Sequence, residues 1–329
     1  MGLVLGMDAL DSKILSVLDQ NARLPESVIG KKVGASKQVI KYRIKRFKDN
    51  NIVENYYTMI DVGRLGFDSY YVFVQLTGLD SKQENEIYQS ILKLPHTAWL
   101  VTGVGRWDAV ILFCAQTITQ FNNELAELKL LFGRHLHEYT FNTLVQAEHI
   151  SYKFLKSQAK TSLKTTSKSK TVVLDKVDGE ILKVLNQSAR MPVTEIASHI
   201  KYPLHTVHYR LKQLQKNNII QGFRPKINVQ QLGMQWHLLL ISFNSVPEDR
   251  IRKFMVYCKQ HNNVYYVTNT VGKYNVMLDV HVKDTEEFRR FLFDIKNAFQ
   301  DVILLYESVL VFEELLITYI PPIVIERNL

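Results

Sequence analysis

Between Lys31 and Lys48 the chain places eight lysines and arginines and no acid. Wound at about 100° per residue, Lys37, Lys41, Lys45 and Lys48 fall within roughly 80° of one another and make one cationic stripe. A solvated helix face usually mixes signs to gain i,i+4 ion pairs, so a stripe of one sign suits phosphate, where each lysine displaces a counterion. Gln38, early in the same segment, has an amide that can donate to and accept from an adenine edge. The expected chemistry is contact with double-stranded DNA through Ser36, Lys37, Gln38, Lys41, Arg43, Lys45 and Lys48. Other constellations point to less. Gly103-Val104-Gly105 lacks the third glycine and following helix of a dinucleotide fingerprint. His135-x-His137-Glu138 has no second ligand pair, so no metal is expected there. With no nucleophile elbow or phosphate loop either, no enzyme activity and no cofactor are expected.

The elements that must position the stripe are legible from spacing. Leu10, Ile14, Val17 and Leu18 make one apolar helical face. Pro25 opens a short second helix that stops near Gly34, and Ser36 can cap a third running to about Asn50. Ile40, Ile44 and Phe47 line that third helix on the side away from the lysines. Short helix, tight turn, then a helix with a separate polar face is a helix-turn-helix pattern.

The pattern is written twice. Shifting the chain by 167 residues lays 10–66 on 177–233 without a gap, and 20 of the 57 positions are identical. Ala22-Arg23-x-Pro25 returns as Ala189-Arg190-x-Pro192, and Asn50-Asn51-Ile52 as Asn217-Asn218-Ile219. The second stripe is depleted: Leu204, His208, Lys212 and Gln215 stand at the four lysine positions, and Pro203 replaces Ser36. A second reader that binds DNA more weakly or reads a different half-site is expected, touching DNA through His205, His208, Arg210 and Lys212.

After each reader the pattern alternates strand and helix as βαββαβ, a ferredoxin-like arrangement. In the first copy the strands are Tyr70–Leu79, Ala98–Thr102, Ala109–Ala115 and Glu138–Ala147, with helices over Lys82–Leu94 and Thr119–Phe132. The fold class is therefore α+β, in five parts: 8–62 and 175–230 as helix-turn-helix domains, 68–153 and 235–322 as ferredoxin-like domains, and 154–174 as a linker. The linker holds Lys156, Lys160, Lys164, Lys168 and Lys170 and no acid up to residue 173, so a flexible tether is expected.

Bulk numbers agree without deciding. Forty-one lysines and arginines against 32 acids give +9, which favours acidic partners only weakly. Cys114 and Cys258 are too few for a disulfide framework. No apolar run reaches the roughly 18 residues of a membrane span, and Met1–Leu10 has no basic lead, so neither span nor leader is expected and the cytoplasm is.

The ordered motifs resemble the Lrp/AsnC (feast/famine) family of transcription regulators: Leu10-Asp11-x-x-Ile14-Leu15, Asn21-Ala22-Arg23, Tyr42-Arg43-Ile44-Lys45-Arg46-Phe47 and Asn51-Ile52-Val53, then the turn Val104-Gly105-Arg106-Trp107-Asp108. The resemblance implies a DNA reader coupled to an amino-acid-sensing domain of the RAM type that also dimerises. Two fused copies then imply a pseudo-dimer within one chain, with further homo-oligomers. In this reading Gly103, Val104, Gly105 and Asp108 bind an amino-acid-type effector, the carboxylate pairing with its ammonium. Gly272, Tyr274 and Asn275 form the matching, uncharged site. The alternative is a sirohaem decarboxylase-like tetrapyrrole enzyme of the same architecture, or a non-DNA-binding sensor.

Overall fold

The computed structural model describes residues 6–155, 163–166 and 171–326. Residues 1–5, which bear on the leader expectation, and Lys156, Lys160, Lys168 and Lys170 of the tether lie outside the described residues. The architecture is α+β. In the first copy α1 (Ala9–Gln20), α2 (Glu26–Val33) and α3 (Lys37–Asp49) lead into strand β1 (Val53–Ile60). Then follow β2 (Asp68–Leu76), α4 (Ser81–Ile91), β3 (Thr97–Gly105), β4 (Ala109–Ala115), α5 (Ile118–Phe132) and β5 (Leu136–His149). A short β6 (Leu163–Thr166) precedes the second copy. That copy runs α6 (Lys176–Gln187), α7 (Val193–Ile200), α8 (Leu204–Lys216), β7 (Ile220–Ile227), β8 (Gln235–Phe243), α9 (Glu248–Gln260), β9 (Val264–Gly272), β10 (Val276–Val282), α10 (Thr285–Phe299) and β11 (Ile303–Ile317). A last turn of helix, α11 (Pro322–Glu326), ends the described chain.

The eight ferredoxin-like strands close on one another in the order β2-β4-β3-β11-β8-β10-β9-β5, and β5 returns to β2. Two of these junctions join the copies: β3 with β11, where Gly105 sits opposite Val309, and β5 with β9, where Asn142 sits opposite Gly272. Those two pairs are each other's images under the 167-residue shift. Closure removes the open edges that isolated four-stranded sheets would leave. Side chains alternate across each strand. Tyr71, Phe73, Trp99, Val101, Leu238, Leu240 and Met277 fill the barrel interior, while Tyr70, Val72 and Val74 face α4 and α5.

The readers are tied to the barrel by a ribbon that periodicity did not reveal. β1 and β7 pair antiparallel, with Tyr57 opposite Arg224, its own repeat partner. Each reader's core is completed by the other copy. Ile14, Leu15, Leu18, Ile40 and Phe47 pack with Ile227, Val229 and Leu232, and Ile181, Leu185 and Val207 pack with Ile60, Val62 and Leu65.

Within the tether, a short strand is described. Leu163–Thr166 pairs antiparallel with the end of β5, and the Leu163 side chain covers Gly222. β2 pairs with β5 only as far as Thr143, so the last residues of β5 keep a backbone edge that supplies partners composition alone could not foresee. β5 also runs longer than expected, because its pairing with β9 of the other copy continues to His149.

Candidate nucleic-acid interface

Three local features set α3. Gly34 closes α2 at φ 75°, a left-handed backbone that glycine adopts without a Cβ penalty. Ser36 accepts a hydrogen bond from the Val39 N–H at 3.3 Å. Ile40 and Phe47 are fully buried against α1. That packing leaves Lys37, Gln38, Lys41, Lys45 and Lys48 on one exposed face. Lys45 pairs with Asp49 at 2.6 Å, just beyond the acid-free window. Lys37, Lys41 and Lys48 have no ion pair among the described residues.

Arg43 does not join this face. Its guanidinium reaches Asp8 at 2.5 Å and Asp11 at 3.0 Å, and Arg46 also pairs with Asp11. The reason is that Asp8 and Asp11 form a capping box at the start of α1 whose charge lies against α3. Hydrogen bonding from Arg43 and from the Asp11 backbone draws the Asp8 carboxyl below its ordinary value, the backbone bond being the larger cause. Arg210 repeats this, reaching Asp175 at 2.5 Å and Asp178 at 3.6 Å. Both arginines therefore tie α3 to the start of α1 and α8 to the start of α6, rather than standing free on the stripe as expected.

The second reader keeps the shape with fewer devices. Pro203 precedes α8 without a side-chain cap. Lys201 takes the left-handed position of Gly34 at φ 57°. His205, His208 and Lys212 are exposed as expected. Tyr42 and Tyr209 were not among the expected contacts. They are 64% and 59% exposed at the same place on both reader helices, and their recurrence under the shift was the available signal.

The glycines of the turns expected at an effector site lie where strands of the two copies meet. A Cβ on Gly103 would lie 2.3 Å from the Leu310 carbonyl oxygen, and one on Gly105 2.2 Å from that of Ser308. One on Gly272 would meet the Phe141 carbonyl oxygen at 2.7 Å. These glycines admit the other copy's strand, so close backbone approach serves the seam. Asp108 accepts the Leu76 N–H at 2.6 Å, and Asn275 accepts the equivalent Phe243 N–H at 2.7 Å. An amide replaces the acid in that bracing role without loss, so the charge is not needed for it. Tyr274 is fully buried. Trp107, its repeat partner, donates to its hydroxyl at 2.7 Å across the seam. Val104 remains exposed. The His135 imidazole meets the Thr77 carbonyl at 3.0 Å on the surface. Among the described residues no group of three or more His, Cys, Asp or Glu could hold a metal ion, and no helix is long and apolar enough to cross a membrane.

Comparison with known proteins bears on both halves. Residues 7–48 match the model of the AsnC-type helix-turn-helix domain, and residues 174–221 match a winged helix-turn-helix DNA-binding model. The chain is 31% identical over 143 residues to the HTH-type transcriptional regulator AldR of Mycolicibacterium smegmatis, covering 43% of this chain and 83% of that protein. The AldR of Mycobacterium tuberculosis is also 31% identical over 143 residues, with 79% of it covered. Over nearly the full length, the fold is similar to a crystal structure of the siroheme decarboxylase NirDL, with a TM-score of 0.62, 14% identity and 98% of each chain covered. That likeness speaks for the fold alone.

Proposed function

Because the chain belongs to the Lrp/AsnC family of transcription regulators, we propose that it acts as a sequence-specific DNA-binding regulator built as a pseudo-dimer within one chain, with α3 as principal reader. The observation that carries this is the exposed, acid-free face of Lys37, Lys41 and Lys48 on a capped helix of a helix-turn-helix. The barrel seams and exchanged reader cores support the pseudo-dimer. They bring the two reader units of one chain together through shared strands and shared cores. Double-stranded DNA is the partner, a small molecule of amino-acid type the effector, and the cytoplasm the location.

The first copy is the stronger reader, since α8 keeps only Lys212 among the four stripe positions. Changing Lys41 to Glu puts like charge against phosphate and abolishes binding, whereas His208→Glu weakens it less. A genome-wide footprint of the protein and both variants checks this ranking, and equal loss in the two variants refutes it. The tetrapyrrole-enzyme reading draws on fold likeness to NirDL. An absorption band on adding sirohaem, together with absence of any footprint, would favour it.

A further inference from the structure

A cavity of about 120 Å³ lies between the barrel interior and the β1–β7 ribbon. That is room for on the order of ten waters, or a ligand of about ten non-hydrogen atoms. Its walls are aromatic: Tyr71, Trp99, Trp236 and Tyr266 all line it. Into it β10 turns Met277, Asp279 and His281, while Val276, Leu278, Val280 and Val282 face the helix layer.

The internal repeat gives a control for these side chains. The 167-residue shift places Leu112 at Asp279, Cys114 at His281 and Ala147 at Glu314. The same strands thus close a barrel with apolar residues in the first copy, so the fold does not need the acids. Burying a carboxylate costs stability unless something meets its charge. Glu314 is met by Lys226 at 3.1 Å and by the Trp99 indole N–H at 2.7 Å. Asp279 receives the Trp236 indole N–H at 3.0 Å, and no lysine or arginine pairs with it among the described residues. An acid without a paired lysine or arginine, in a cavity lined by aromatic rings, suits a positive guest.

We propose that this cavity binds a small organic cation, an amine or quaternary ammonium, whose charge is met by Asp279 between the rings of Trp99, Trp236, Tyr71 and Tyr266. The site is separate from the β3–β4 and β9–β10 turns, and its occupancy does not depend on DNA. Tyr57 and Lys226 bring the ribbon to the cavity wall, and β1 and β7 follow directly on α3 and α8, so a guest bears on how the readers are held.

Proton balance follows from the surroundings. Burial, with Glu314 adding to it, pushes the Asp279 carboxyl up to about 8, against the lowering effect of Trp236. The titratable groups that share the cavity with it are Glu314 on β11, Lys226 on β7, Tyr57 on β1, Tyr71 on β2, His149 on β5, Tyr265 and Tyr266 on β9, and Tyr152 and Tyr319 outside the strands, with His281 on its own strand. His281 is held down to about 3 by burial and stays neutral. Burial raises Tyr71 and Tyr266, which stay protonated. Near neutral pH the empty site therefore holds a proton on Asp279, and a bound cation displaces it to solvent. Below pH 8 each unit of pH weakens cation binding about tenfold, and above it affinity levels off.

Choline has no titratable nitrogen, so its calorimetric titration into the full chain in buffers of different ionisation enthalpy reads this directly. Putrescine and tyramine serve as primary-amine probes. The expected result is binding of at least one probe with about one proton released at pH 7 and almost none at pH 9. Asp279→Leu, which copies the first repeat, folds and loses the binding. Asp279→Asn, of the same shape, loses it too. Absence of heat for all three probes at millimolar concentration overturns the proposal, as does binding undiminished in either variant or without proton release at pH 7.

Discussion

Arg224 to Leu is the substitution that most directly probes how the two copies complete each other. Arg224, on β7 of the second copy, and Asp19, on α1 of the first, are both fully buried, with their charged atoms 3.4 Å apart. Arg224 also reaches His149 at 3.1 Å, and Asp19 accepts the Tyr152 N–H at 3.2 Å. At an effective dielectric of about 20, opposite charges at that separation attract by about 5 kcal/mol, and deleting one member of a buried pair costs roughly 3–5 kcal/mol. A loss of that size lowers the thermal midpoint by on the order of 10 °C in a domain this large. The cost depends on pH in a fixed direction. Burial already holds the Asp19 carboxyl above its ordinary value, and Arg224 is the main influence pulling it back. Without Arg224 the folded state holds a proton that the unfolded state releases over a wider range. Stability of the variant therefore falls as pH rises above the ordinary carboxyl range and recovers as pH drops through it. Changing Asp19 to Asn as well, the residue the second copy carries at position 186, restores most of the loss. Calorimetric melts of the unaltered chain and the two variants between pH 4 and pH 8 provide the measurement. A midpoint unchanged by Arg224→Leu, or a loss that deepens toward acid, would refute the buried inter-copy pair.

Two further substitutions test local geometry. Lys201→Gly relieves a side chain held at φ 57° and raises stability by about 1 kcal/mol in a denaturant melt; a drop would mean the lysine makes a compensating contact. Gly105→Ala, at φ 142° with a Cβ 2.2 Å from the Ser308 carbonyl oxygen, opens the β3–β11 seam and costs roughly 1–3 kcal/mol from strain alone, seen as faster hydrogen exchange in β3 and β11. Unaltered exchange there would contradict the close-approach role of that glycine.

Much of the molecule was legible in the sequence for physical reasons, and the rest was hidden for equally physical ones. Helix spacing, Gly34 and Ser36 give α1 to α3, because amphipathic periodicity and caps are local. The 167-residue shift identifies equivalent residues, but equivalence says nothing about pairing. That β3 meets β11 follows from closing the barrel, and that Ile227 finishes the core around Ile14 follows from the β1–β7 ribbon. Arg43 read as one more cation on the stripe because its partners Asp8 and Asp11 lie a helix away. The glycines at 103, 105 and 272 were visible as backbone freedom, yet what approaches them is another strand. Asp279 and His281 carried a signal in plain view, two polar residues alternating with valine in a strand buried on both faces, beside Leu112 and Cys114 in the first copy.

The central claim is that the α3 lysines meet DNA phosphate. Its most direct test is fluorescence anisotropy of a labelled duplex, titrated with the protein over a range of salt concentrations and repeated with Lys37, Lys41 and Lys48 all changed to Gln. Each phosphate contact contributes about 0.9 to the slope of log affinity against log salt, so the triple variant's slope is shallower by about 3. Affinity falls across all duplex sequences alike, and the melting curve does not change. An unchanged slope in the triple variant, or a wild-type chain that leaves the duplex unbound at low salt, would contradict the account.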